Sequence, residues 1–134
     1  MMSGLLVFTG LGQLALALAS LVLPHLLRWK EETARLQPLT ARVFWVYAGY
    51  ILGTNLCLGG LTAFAPQLLL DRSPLARAVA GYGAVYWGVR LIIQVVWFRG
   101  LAPEGRWYAI ADLALMLAFA LWSVCYGAVL FDLW

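Results

Sequence analysis

Charge is what this sequence has least of. Nine Lys and Arg with six Asp and Glu make only 11% of 134 residues, against 64% hydrophobic, whereas soluble domains carry about 25% charged and roughly 45–50% apolar residues. With so few charges, gathered between the apolar runs, a mean hydropathy of +0.87 excludes a water-facing globule. The length fits one domain spanning 1–134.

Histidine and cysteine are nearly as scarce. His25 is the lone histidine, too little for a metal centre built from clustered His, Cys and carboxylates. Cys57 and Cys125 sit inside apolar runs with no C-x-x-C and no nearby His; they read as small apolar fillers and exclude a thiol-redox enzyme. No Ser stands near a base, and H-E-x-x-H and P-loop motifs are missing, so no catalytic constellation is expected. The N-terminus Met1-Met2-Ser3-Gly4 lacks the positive region of a signal peptide, and its apolar run continues from Leu5 to Leu27. The first helix is therefore expected to stay in the mature protein.

What the sequence does have is long apolar runs. A hydrocarbon core of about 30 Å needs about 20 such residues as helix. Four runs qualify: 5–27, 43–65, 76–98 and 107–131. Period-2 alternation is absent, so helices are the only way to satisfy the backbone in lipid. Punctuation agrees. Pro24 is placed to kink the first helix, Thr40 to cap the second and Pro66 to close it. Ser73-Pro74 reads as an N-cap and first helical residue, and Pro103-Glu104 as the start of the fourth helix. Between Arg28 and Pro38 the first helix is expected to continue as a solvated extension, with Arg28–Glu32 and Glu31–Arg35 pairs at i, i+4.

Lys and Arg set the orientation. Arg28, Lys30, Arg35, Arg42, Arg99 and Arg106 fall on one side, and Arg72 and Arg77 on the other, which places the first and third loops in the cytoplasm. Trp29, Trp45, Trp97 and Trp107 then form an inner aromatic belt, and Trp134 belongs to the outer one. This bias accounts for the basic residues and leaves no case for nucleic-acid binding. The expected fold is all-α: a polytopic membrane protein, a four-transmembrane-helix bundle with both termini non-cytoplasmic, in the inner (plasma) membrane. Small residues recur where helices can approach, at Gly49 and Gly53 on the second helix and at Ala84 and Gly88 on the third; they suit internal packing or an oligomer seam.

Arg90 is the leading candidate for chemistry. It lies eight residues, about 12 Å at 1.5 Å per residue, from the inner end of the third helix, where a charge needs a partner or a cavity. Asp112, at similar depth on the fourth helix, is the expected ion-pair partner. Tyr86 and Gln94, at i−4 and i+4 of Arg90, share its face. His25 joins this set as a proton-relay candidate; a single axial ligand also suffices for a chlorophyll-type pigment, whereas a haem normally needs two. No cofactor is predicted. The functional expectations are three: a non-catalytic accessory or structural subunit, partnered by the bilayer and by other membrane subunits or itself; a small transporter or membrane enzyme using an inner-leaflet pocket of Arg90, Asp112, Gln94, Tyr86 and His25; and a pigment- or haem-binding subunit through His25.

Small multidrug transporters rely on a buried Glu in the first helix, where this chain has Gln13. Glutathione-linked membrane enzymes carry charges in the second helix, which has none here over Val43–Ala65. Gly59-Gly60-Leu61-Thr62-Ala63-Phe64 resembles the G-G-x-T-T-F stretch of fluoride channels, but in the second span and without the second Thr. Pro24-His25-Leu26-Leu27-Arg28-Trp29-Lys30-Glu31, Phe44-Trp45-Val46-Tyr47, and Tyr86-Trp87-Gly88-Val89-Arg90-Leu91 with Gln94 resemble a group of small four-helix bacterial membrane proteins of no known activity. That resemblance implies a bacterial inner membrane and nothing about mechanism.

Overall fold

A computed structural model of the protein describes residues 1–98 and 105–134. In chain order come α1 (Met2–Ser20), α2 (Leu23–Leu26), α3 (Trp29–Thr33), α4 (Pro38–Phe64), α5 (Pro66–Leu69), α6 (Pro74–Ile92) running into a π-helical turn (Ile93–Trp97), and α7 (Arg106–Leu130). No strand occurs among the described residues. Among the described residues, four stretches are long and apolar enough to cross a membrane: Met2–Leu26, Pro38–Phe64, Pro74–Trp97 and Arg106–Leu130. They suggest a multi-pass membrane protein. Arg99 and the Pro103-Glu104 start expected for the fourth helix lie outside the described residues.

The chain divides into two compact units, residues 7–65 and residues 1–6 with 66–134. In the first, the buried positions of α1 are Thr9, Gly10, Gln13 and Ala17, and those of α4 are Asn55, Leu58, Gly59, Thr62 and Ala63. These faces are small and polar, while Phe8, Leu11, Leu18, Val46, Tyr47, Tyr50 and Ile51 point outward. A water-soluble protein would reverse that distribution. In lipid, where burying Leu gains little, small residues that let backbones approach hold helices together. The two helices run antiparallel and touch through backbone: a Cβ on Gly10 would lie 2.3 Å from Ala63 N and 2.7 Å from Gly59 O, and one on Gly59 would lie 3.1 Å from Gln13 Cβ.

The expected charged extension of the first helix does not form as one rod. Pro24 has no N–H for the Ser20 carbonyl and crowds it, so α1 ends at Ser20 and tight turns follow, from Leu21 N–H to Leu18 O and from Val22 N–H to Ala19 O. Arg28 then adopts a left-handed conformation (φ 54°) at the start of α3. This break re-spaces the charge pairs to i, i+3, with Arg28–Glu31 at 3.9 Å and Arg35–Glu32 at 3.8 Å, both widely exposed. Nor does Thr40 cap the second helix. Gln37 is the extended residue (φ −60°, ψ 148°) and Pro38 takes the first helical position, because proline favours extended backbone before it and a helical φ of its own.

In the second unit, Ser73 caps α6 as its sequence predicts, its hydroxyl accepting from Ala76 N–H at 3.0 Å. Asp71 Oδ1 accepts from Ser73 N–H at 2.9 Å. The Ser73 backbone N–H, and then its hydroxyl, hold the Asp71 carboxyl below the ordinary carboxylate range. A depressed folded-state pKa adds stability that is present above the unfolded value and disappears as pH falls through the folded one. Asp71→Asn is therefore expected to lower the thermal midpoint slightly at neutral pH and not at all in strong acid. A midpoint difference that persisted unchanged into acid would contradict this; full exposure and solvent screening keep the effect small.

Candidate functional site

The polar site is built on α6 and α7, which pack as an antiparallel hairpin: contacts descend α6 as they climb α7, from Ala84 with Ser123 to Gln94 with Asp112. Tyr86, Arg90 and Gln94 recur every four residues and share a face. Arg90 Nη1 donates to Gln94 Oε1 at 3.0 Å, and Gln94 Nε2 donates to Asp112 Oδ1. The direct ion pair expected between Arg90 and Asp112 is not among the salt bridges of the described residues; Gln94 stands between them. An amide can do this because it offers an acceptor to the cation and a donor to the anion. The result is a relay with one positive and one negative end.

Gln94 lies in the π-helical turn, whose wider loop closes through Phe98 N–H to Ile93 O at 3.0 Å. Such turns insert one residue into a helix and often mark functional positions. Here the turn brings the Phe98 ring within 5.1 Å of the Arg90 guanidinium, while Phe119 of α7 lies 4.9 Å away on that same group. Ring faces attract a partly desolvated cation, so Arg90 is held by one amide and two phenyl rings. Tyr86 sits against Tyr82 (5.7 Å between centroids) and edge-on to Trp87 (4.9 Å).

The structure thus joins Arg90, Gln94 and Asp112. His25 belongs to the other unit, exposed on α2, where its N–H bonds to Val22 O at 3.1 Å. Among the described residues, no group of three His, Cys, Asp or Glu could hold a metal ion. Cys57 is exposed and Cys125 buried, both as free thiols. The small residues separate into two kinds. Ala84 and Gly88 seat Ser123, whose hydroxyl donates to Ala84 O at 2.8 Å and would lie 3.2 Å from a Cβ on Gly88. Gly49 and Gly53 seat nothing: a Cβ on either would have no neighbour within 4 Å among the described residues.

Three features escaped sequence reasoning. The close crossing of α1 and α4 uses Gly10, Gly59 and Ala63 rather than Gly49 and Gly53; Gly59-x-x-x-Ala63 is itself a small-x-x-x-small signal that could have found it. An aromatic core joins Trp87 to Phe119 (5.4 Å, nearly parallel) and Trp122 (4.8 Å), foreshadowed only by spacing on each helix. Finally, Asp132 bonds Arg72 Nε at 2.9 Å and Arg77 Nη2 at 3.3 Å, and Arg72 lies over the Trp134 ring at 4.3 Å. Arg72 and Asp132 are both left-handed, at φ 61° and 59°, a conformation that Asp adopts more readily than most residues and Arg does not. Compared with protein-family models, curated proteins and solved structures, the chain matches none.

Proposed function

We propose that this protein is a non-catalytic accessory or structural subunit of a membrane complex, its intramembrane polar groups serving to fasten helices. One observation carries the reading: the most costly charge in a span, Arg90, is committed through Gln94 to Asp112 on the neighbouring helix. Ser123 is likewise spent across the hairpin on Ala84 O. Interhelical polar contacts of this kind are a common glue in bilayers.

The asymmetry of Lys and Arg favours an orientation with the 28–42 loop in the cytoplasm and both termini outside, and the resemblance to small four-helix bacterial membrane proteins favours a bacterial inner membrane. Partners in this reading are the bilayer and other membrane subunits, or a second copy. Gly49 and Gly53, with open space above them, provide the position at which to test for one. Gly49→Leu with Gly53→Leu is expected to leave folding unchanged and to reduce co-purification of the partner in mild detergent. Recovery of the unaltered protein as a lone monomer, with no partner, would refute the subunit reading.

The relay is tested separately. Replacing a buried polar group together with its partners by apolar residues often costs little, whereas removing one partner costs roughly 3–5 kcal/mol. Arg90→Met with Gln94→Leu and Asp112→Leu is expected to fold and to keep the cellular phenotype; Asp112→Leu alone is expected to be clearly less stable. A triple variant that folded but lost the phenotype would instead indicate a transporter or enzyme working through this polar cluster. A visible absorbance band in the purified protein would indicate a pigment, with His25 as its candidate ligand.

A further inference from the structure

The loop between the first two spans does more than connect them. α3 folds back on the start of α4, and three rings meet edge to face: Trp29 and Phe44 at 5.0 Å and 84°, Trp29 and Trp45 at 6.1 Å, Phe44 and Trp45 at 5.8 Å. Buried Thr33 locks the arrangement. Its hydroxyl donates to Trp29 O at 2.7 Å and accepts from Trp45 Nε1 at 3.2 Å. Beside these rings opens a groove of about 440 Å³, lined by Leu27, Trp29, Glu32, Thr33, Leu36 and Phe44. That volume lies in the ordinary range for small-molecule sites, roughly 300–1,000 Å³.

We propose that this groove binds the headgroup of an amine-bearing phospholipid, phosphatidylethanolamine, from the leaflet in which the loop lies. The lining selects for a cation. Two aromatic side chains and a carboxylate converge there, the combination that recognises ammonium groups. Glu32 is not consumed by its neighbour: Arg35 approaches to only 3.8 Å, well beyond the 2.7–2.9 Å or so of a charge-assisted hydrogen bond. A phosphate placed alone in the groove would meet Glu32 unfavourably. In a zwitterionic headgroup the phosphate is two carbons from the amine, and the same short loop carries Arg28, Lys30 and Arg35 to meet it. Leu27 and Leu36 give the glycerol end an apolar wall.

The site rests on the membrane reading above, so the experiment separates the two. The full chain is reconstituted into vesicles of phosphatidylglycerol with phosphatidylethanolamine in equal amounts, floated, and released into the gas phase for native mass spectrometry. Preferential retention of one phosphatidylethanolamine is expected. Glu32→Gln and Trp29→Leu are each expected to reduce that retention roughly threefold to tenfold, the range a cation–π or charge contact of this type supplies. Glu32→Gln alters an exposed side chain and keeps the fold available for the measurement. If the chain does not float, the membrane reading falls and the lipid site with it. If it floats but retains both lipids equally, or Glu32→Gln retains phosphatidylethanolamine as before, the site alone is overturned.

Discussion

Gly10→Leu is expected to abolish recovery of folded protein, and Gly10→Ala to lower stability by roughly 3 kcal/mol. The reason is what the new atom meets. A Cβ at Gly10 would fall 2.3 Å from Ala63 N, 2.7 Å from Ala63 Cα and 2.7 Å from Gly59 O. All three are backbone atoms of α4, so no side chain can swing aside and the two helices must separate. Separation also removes the contact of Gly59 with Gln13 and Leu14, which is the dispersion that holds this hairpin together where lipid offers no hydrophobic drive. Against this stands the gain from replacing a helical glycine by alanine, only about 0.5–1 kcal/mol, which is too small to offset it. Gly60 supplies the control. It adjoins Gly59 on the same helix, yet a Cβ there meets nothing within 4 Å, so Gly60→Ala is expected to be neutral or mildly stabilising. The measurement is an unfolding titration in mixed micelles followed by far-UV circular dichroism. Equal midpoints for Gly10→Ala and Gly60→Ala would remove the close crossing from the account.

The contrast between Gly10 and Gly49 shows what could be read from the sequence and what could not. Span number and approximate limits follow from hydrophobic length, and Pro24, Pro66 and Ser73-Pro74 mark helix boundaries because ring geometry and capping act locally. Which face of a helix meets another is a different problem. Gly49-x-x-x-Gly53 and Gly59-x-x-x-Ala63 are equivalent local signals ten residues apart, and only the approach of Gly10 from α1 chooses between them. The site behaves likewise. Tyr86, Arg90 and Gln94 share a face by spacing alone, and Asp112 by depth. The order of bonding depends on the π-helical turn at Ile93–Trp97, which no residue pattern in 93–97 announces, so Gln94 reads as a neighbour of the pair when it is the link. The left-handed Arg28 is hidden for a related reason: its backbone is set by the turn after Pro24 and by the docking of Trp29 on Phe44, a contact between residues fifteen apart.

Trp87→Ala is expected to cost roughly 3–5 kcal/mol, the range for deleting a large buried aromatic. Trp87 is 1% exposed and is the hub of the α6–α7 contact. It stacks on Phe119 at 5.4 Å and 15°, and meets Trp122 at 4.8 Å and Tyr86 at 4.9 Å edge-on. Removing it opens a cavity that backbone on either side cannot fill, because Gly83, one turn earlier, already rests on the Tyr126 ring: a Cβ there would lie 2.8–2.9 Å from three ring atoms. The hairpin is thus already in close contact one turn from the lost indole and resists collapsing inward. Phe119 also faces Arg90 at 4.9 Å, so its loosening propagates to the polar relay. Trp87→Phe separates packing from polarity. The indole N–H is buried without a hydrogen-bond partner among the described residues, so losing it forfeits no bond, and a retained ring preserves most of the stack. Trp87→Phe is therefore expected to recover at least half of the stability that Trp87→Ala loses, in the same micellar titration. If the two variants unfold at the same midpoint, a ring retained at this position restores nothing, and the aromatic core is not what joins α6 to α7.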